Sequence, residues 1–121
     1  MGSKIEIYSY SRCNTCRKAL KWMSQNDIGY NLFDIIQTPP SKEIISIAFE
    51  KFENRKSLFN TSGVRYREIG AKVINSMSKT EAIQLLSEDG KLIKRPFLVF
   101  QDGSKILAGF NLDRWKEALL K

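Results

Sequence analysis

Lys4-Ile5-Glu6-Ile7-Tyr8 alternates polar and apolar residues, which predicts a first strand. Ser9-Tyr10-Ser11-Arg12 reads as a turn, and a helix begins near Cys13. Along it Cys16, Ala19, Leu20 and Met23 fall at i, i+3, i+4 and i+7, one helical face. Asn26-Asp27 and Gly29 end that helix. Tyr30 to Ile36 alternates again and predicts a second strand. Thr38-Pro39-Pro40 breaks the chain, and Ser41, with Glu43 in the first turn, opens a second helix. That helix carries Ile45, Ala48, Phe49 and Phe52 on one face.

A polar stretch follows over Asn54-Arg55-Lys56-Ser57, and Leu58 to Gly63 reads as a turn packed at one end. Tyr66 to Met77 is weakly helical, with Ile69, Val73 and Met77 as its apolar face. Ser78-Lys79-Thr80-Glu81 is a capping box, in which a hydroxyl and a carboxylate each bond the other residue's backbone N–H. Ala82, Leu85 and Leu86 form the stripe behind it. Pro96 to Phe100 reads as a short buried strand, and Asp102-Gly103 as a hairpin joining it to Lys105-Ile106-Leu107-Ala108. Asn111 caps a last helix with Leu112, Trp115, Ala118 and Leu119 on one side.

This order predicts an α/β fold in one domain over residues 1–121, with a helical insertion over about 41–90. A chain of 121 residues with 42% apolar content can build a single core. No apolar run approaches a membrane span. The start, Met1-Gly2-Ser3-Lys4, lacks the apolar core of a signal peptide, and the residues after Gly2 do not complete a myristoylation motif. A cytoplasmic protein is expected. The net charge of +7 draws anions of many kinds. With no long Lys/Arg block and no interleaved aromatics, direct nucleic-acid binding is not expected.

The sequence has no histidine and two cysteines. Ser-His-Asp triads, Cys-His dyads and His-ligated metals are therefore excluded, and a zinc site of the usual four ligands would need a second chain or carboxylates. No resident metal or cofactor is expected, and any chemistry falls to thiols, carboxylates, hydroxyls, Lys and Arg. Cys13-Asn14-Thr15-Cys16 follows a strand and opens a helix. The N–H groups of a helix N-terminus favour negative charge, and a thiol there becomes more readily a thiolate. Cys13, where turn meets helix, is the candidate nucleophile. Cys16, one turn in on the inner face, suits a resolving thiol. Arg12, Arg17, Lys18 and Lys21 surround them, with no acidic residue between Arg12 and Lys21. Two inert buried thiols, or a metal shared between chains, are the other readings of the spacing. The strand-then-helix context favours the redox one.

Cys13-Asn14-Thr15-Cys16-Arg17-Lys18-Ala19, Phe59-Asn60-Thr61-Ser62-Gly63 with Tyr66-Arg67-Glu68, Leu92-Ile93-Lys94-Arg95-Pro96 and Gly109-Phe110-Asn111 together resemble the arsenate-reductase-like (ArsC/Spx/YffB) family, its YusI-like branch in particular. The resemblance runs nearly from end to end. It implies a thioredoxin-like fold with a mixed central sheet, and a cis Arg95–Pro96 bond opposite the reactive cysteine. It also implies that Cys13 is the nucleophile and that Arg95 acts with it; with Cys16 these are the expected catalytic residues, and Arg12, Arg17, Asn60 and Pro96 the expected binding ones. Of the three arginines that hold the oxyanion in the family's arsenate reductases, one is matched by Arg95, while Asn60 and Gly109 stand at the other two positions. Arsenate reduction is therefore expected to be poor or absent, with Arg65 and Arg67 as the nearby candidates to substitute. The expected activity is thiol–disulfide exchange on a thiol or disulfide substrate, with glutathione or glutaredoxin as the coupled thiol. The alternative implied by the same resemblance is an Spx-like redox-sensing regulator that binds the RNA polymerase alpha subunit.

Overall fold

A computed structural model describes residues 4–120; the expectations about a leader or lipid at Met1 to Ser3 lie outside the described residues. The chain forms two compact units, one from residues 4–34 and 95–120 and the other from Ile35–Lys94.

The first unit holds a four-stranded sheet in the order β2-β1-β3-β4, from β1 (Ile5–Ser9), β2 (Asn31–Asp34), β3 (Phe97–Phe100) and β4 (Ile106–Ala108). β1 pairs parallel with β2 and antiparallel with β3, and β3 pairs antiparallel with β4 across the Asp102-Gly103 hairpin. The second strand is shorter than the alternation over Tyr30 to Ile36 predicts. Its register ends at Ser9↔Asp34, where β1 itself ends, so Ile35 has no strand to pair with. Helix α1 (Asn14–Gln25) lays Cys16, Ala19 and Met23 inward. Ala19 and Met23 join Ile7, Leu98 and Trp115 in a fully buried cluster. Trp115 comes from the last helix (Leu112–Leu119), whose Asn111 side chain accepts from the Arg114 N–H as the cap signal predicts. Leu112, assigned to the apolar face of that helix, is 43% exposed at its first turn. On the opposite face of β1, Tyr8 stacks on Phe33 with ring centroids 5.1 Å apart.

The second unit is helical. Helix α2 (Lys42–Lys51) starts at Ser41, whose Oγ accepts from the Ile44 N–H. The stretch predicted as one helix from Tyr66 to Met77 is two, α3 (Val64–Ile69) and α4 (Ala71–Ser76). Gly70 separates them at φ +97°, a conformation that residues with a Cβ rarely adopt. The break rotates the second half. Tyr66 and Ile74 are buried, whereas Val73, assigned to the apolar face, is 52% exposed. The capping box at Ser78 is fully formed and opens α5 (Lys79–Glu88), which packs on α2. The final helix of the first unit is accordingly α6. Among the described residues no helix is long and apolar enough to cross a membrane.

Candidate active site

β1 delivers the chain to the turn before α1. There the Cys13 N–H donates to the Tyr10 carbonyl at 3.1 Å. Arg17 reaches back over this turn: its Nη1 donates to the Ser11 carbonyl at 2.7 Å and its Nη2 to Asn14 Oδ1. Arg17 thus braces the loop with both ends of its guanidinium. Arg12, Lys18 and Lys21 are exposed around it.

Cys13 is the N-cap of α1, with extended backbone, and its Sγ accepts the Cys16 N–H at 3.2 Å. A sulfur here takes the place of the Ser or Asn oxygen that usually satisfies a first-turn N–H. Cys13 is partly exposed and Cys16 fully buried, and both are free thiols. Burial, reinforced by Cys13, pushes the Cys16 thiol up to about 11. Opposing that shift, the Tyr10 backbone N–H and the Ser9 hydroxyl donate to the Cys16 sulfur. The two thiols therefore differ: one is partly exposed at a helix N-terminus, the other lies one turn in, buried and held as S–H.

The Arg95–Pro96 bond is cis, as the resemblance implies. The Arg95 guanidinium lies over the Tyr10 ring, 5.1 Å from its centroid. Its Nη1 is buried and, among the described residues, is the one buried side-chain nitrogen or oxygen without a hydrogen-bond partner. The cation–π contact with Tyr10 offsets part of the cost of that burial. The Pro96 carbonyl accepts the Gly109 N–H at 2.9 Å, and the Gly109 carbonyl accepts the Trp115 indole N–H at 3.0 Å. Gly109 stands at φ +77°, in the left-handed region. Buried Trp115, itself edge-on to Trp22 and Phe110, thus anchors the backbone that carries Pro96.

Of the residues singled out from sequence, Cys13, Cys16, Arg12, Arg17, Arg95 and Pro96 belong to the first unit and Asn60 to the second. Asn60 Nδ2 donates to the Lys91 carbonyl at 3.4 Å and its backbone N–H to the Leu92 carbonyl at 2.8 Å. Arg65 is paired within that unit, its Nε 2.9 Å from Asp89 Oδ2 and its Nη1 3.3 Å from Glu68 Oε1. Two residues escaped the sequence reading. Tyr10, the platform under Arg95, gave no sign beyond being an aromatic in a polar turn. Ser9 did: it falls two positions after Ile7, on the face that continues inward.

A four-stranded sheet in the order β2-β1-β3-β4, with one parallel pair, a Cys-x-x-Cys helix after β1 and a cis-proline before β3, makes this a thioredoxin-like α/β protein. The chain belongs to the ArsC family, whose model matches residues 8–118. It is 42% identical over 115 residues to the uncharacterized protein YusI of Bacillus subtilis strain 168, covering 93% of this chain and 96% of that one. The regulatory protein MgsR of the same strain is 29% identical, covering 92% of this chain and 86% of its own. The global transcriptional regulator Spx of Streptococcus agalactiae serotype V is 26% identical, with 90% and 78% covered. Among solved structures, a Bacteroides fragilis protein provisionally described as related to the ArsC family superposes with a TM-score of 0.84 at 34% identity, covering 97% of this chain and 98% of that one. A Streptococcus mutans UA159 protein provisionally described as an arsenate reductase gives 0.84 at 37%, covering 91% and 93%.

Proposed function

We propose that this chain is a thiol–disulfide oxidoreductase in which Cys13 attacks and Cys16 resolves. The observation that carries the reading is the asymmetry of the pair: Cys13 partly exposed as the N-cap of α1, Cys16 buried one turn in. The Cys13 thiolate attacks one sulfur of a disulfide R–S–S–R′, forming Cys13–S–S–R and expelling R′–S⁻, which takes up a proton. Cys16 then loses its proton and attacks Cys13 Sγ. The Cys13–Cys16 disulfide forms, R–S⁻ leaves, and two donor thiols, becoming joined as a disulfide, return the pair to two thiols. The exposed cations Arg12, Lys18 and Lys21 around the pair favour an R group bearing carboxylates, as in glutathione.

Arsenate is a poor substrate in this reading. A tetrahedral oxyanion is best held by arginine forks. At the positions where the family's arsenate reductases carry two of theirs, this chain has a neutral amide already engaged with the Lys91 carbonyl and a glycine. Arg65, the nearest substitute in sequence, is held by Asp89 and Glu68.

The test is turnover of a glutathione mixed disulfide, and of arsenate, by wild type and Cys13→Ser. Disulfide turnover abolished in Cys13→Ser, with arsenate reduction near background, is the expected result. The regulators MgsR and Spx, each matching about nine-tenths of this chain, favour a second reading as a redox-sensing regulator. Co-purification with the RNA polymerase alpha subunit and no turnover of any disulfide would replace the oxidoreductase with that regulator.

A further inference from the structure

Ser9 is the one buried polar side chain among the described residues, 7% exposed at the end of β1. Alternation along β1 puts Ile7 and Ser9 on one face. Ile7 meets Ala19 and Met23 of α1 in the core. One step further along the strand and one turn nearer the start of the helix, the same packing brings Ser9 to Cys16, which shares the inward face with Ala19 and Met23. An apolar side chain would extend the core here. Instead the Ser9 hydroxyl donates to the Cys16 sulfur, joined by the Tyr10 backbone N–H. Two donors converging on a buried sulfur are poorly used by a thiol, a weak acceptor, and well used by a thiolate.

We propose that Ser9 acts in the resolving step, its hydroxyl holding the negative charge on Cys16 Sγ as that sulfur attacks the mixed disulfide at Cys13. This rests on the oxidoreductase reading and assigns it a further residue. In the step, Cys16 S–H gives up its proton and the Cys16 sulfur bonds Cys13 Sγ. The bond between Cys13 Sγ and the sulfur of R–S breaks, R–S⁻ departs, and R–S⁻ or solvent takes the proton. The pair is oxidised by two electrons and R–S is reduced. Ser9 keeps its own proton throughout and lends only the hydrogen bond. The need is set by the surroundings: Cys16 is fully buried, and the titratable group acting on it is Cys13, which opposes its ionisation. Burial that keeps the resting thiol protonated would also slow resolution, and a fixed donor at the sulfur relieves the second effect when charge develops.

The experiment uses an aromatic disulfide whose released thiolate is coloured, in single turnover. The first release reports attack by Cys13, and the second reports resolution by Cys16. Ser9→Thr and Ser9→Val have the same shape, and one keeps the hydroxyl. Ser9→Ala adds no bulk and serves if the larger pair packs badly. The expected result is a second phase about tenfold or more slower in Ser9→Ala and Ser9→Val, the effect of one hydrogen bond to a charged acceptor, and recovered in Ser9→Thr. Where Thr and Val both pack badly, an unaltered second phase in Ser9→Ala overturns the proposal. Equal second phases in Thr and Val overturn it as well, because packing rather than the hydroxyl would then govern the rate. A wild type with no second release at all would instead remove the oxidoreductase reading on which the proposal stands.

Discussion

The buried thiol makes a quantitative demand on alkylation kinetics. Burial and the neighbouring Cys13 lift Cys16 from 9.0 to about 11. Thiolate is the species that reacts with iodoacetamide, and below its pKa the thiolate fraction changes tenfold per pH unit. At pH 8 the two-unit shift leaves Cys16 about a hundredfold less ionised in the native chain than in the unfolded one. Full burial under β1 adds a steric barrier to that factor. Peptide mass spectrometry of timed iodoacetamide quenches should show Cys13 modified first. Cys16 should lag its own rate in urea by about a hundredfold or more, the factor its raised pKa sets. The native Cys16 rate should climb about tenfold per pH unit toward pH 11. A Cys16 rate within a few-fold of its denatured value at pH 8, or one that levels off below pH 10, would show that the sulfur is not held as a thiol and would refute the argument.

The same shift carries a stability signature. Above its ordinary pKa the native chain holds a proton at Cys16 that the unfolded chain has lost, so the contribution is complete below about pH 9 and is lost as pH rises to about 11. Wild type should lose about 2 kcal/mol more than Cys16→Ala between pH 8 and 11 in urea titrations, and parallel losses would contradict it. In the second unit, a Cβ on Gly90 would sit 1.8 Å from the Ile35 carbonyl oxygen. Gly90→Ala should therefore cost about 1–3 kcal/mol or more in urea denaturation, as forced overpacking does, and an unaltered midpoint would count against that packing.

Local signals carried most of the fold. Ser41, Ser78 and Asn111 cap helices as their sequences require, because a cap is decided within four residues by one oxygen and one N–H. Boundaries set by a distant partner were not legible. β2 stops at Asp34 because β1 stops at Ser9, which no window around Ile35 contains. Gly70 was visible in the sequence, but periodicity across it describes a straight helix, and φ +97° turns Ile74 inward in place of Val73. At the candidate site the cysteines and the Arg95-Pro96 pair were legible from spacing and resemblance. The stacking of Arg95 on Tyr10 was not, since it joins residues 85 positions apart in a sequence of 121.

The geometry at Gly109 bears on how this lineage can change. The residue is tied at both of its backbone groups, to the Pro96 carbonyl and to the Trp115 indole, with φ at +77°. A side chain in the left-handed region costs roughly 1–2 kcal/mol, with glycine exempt and asparagine or aspartate the usual exceptions. A single substitution that introduced arginine here would meet that penalty before any benefit from its charge, and would strain the strut that carries Pro96. The route from this chain to a three-arginine oxyanion clamp therefore passes through a less stable intermediate. A cation at this position would require the Gly109 turn to be reshaped first, or its charge to be supplied from elsewhere on the surface.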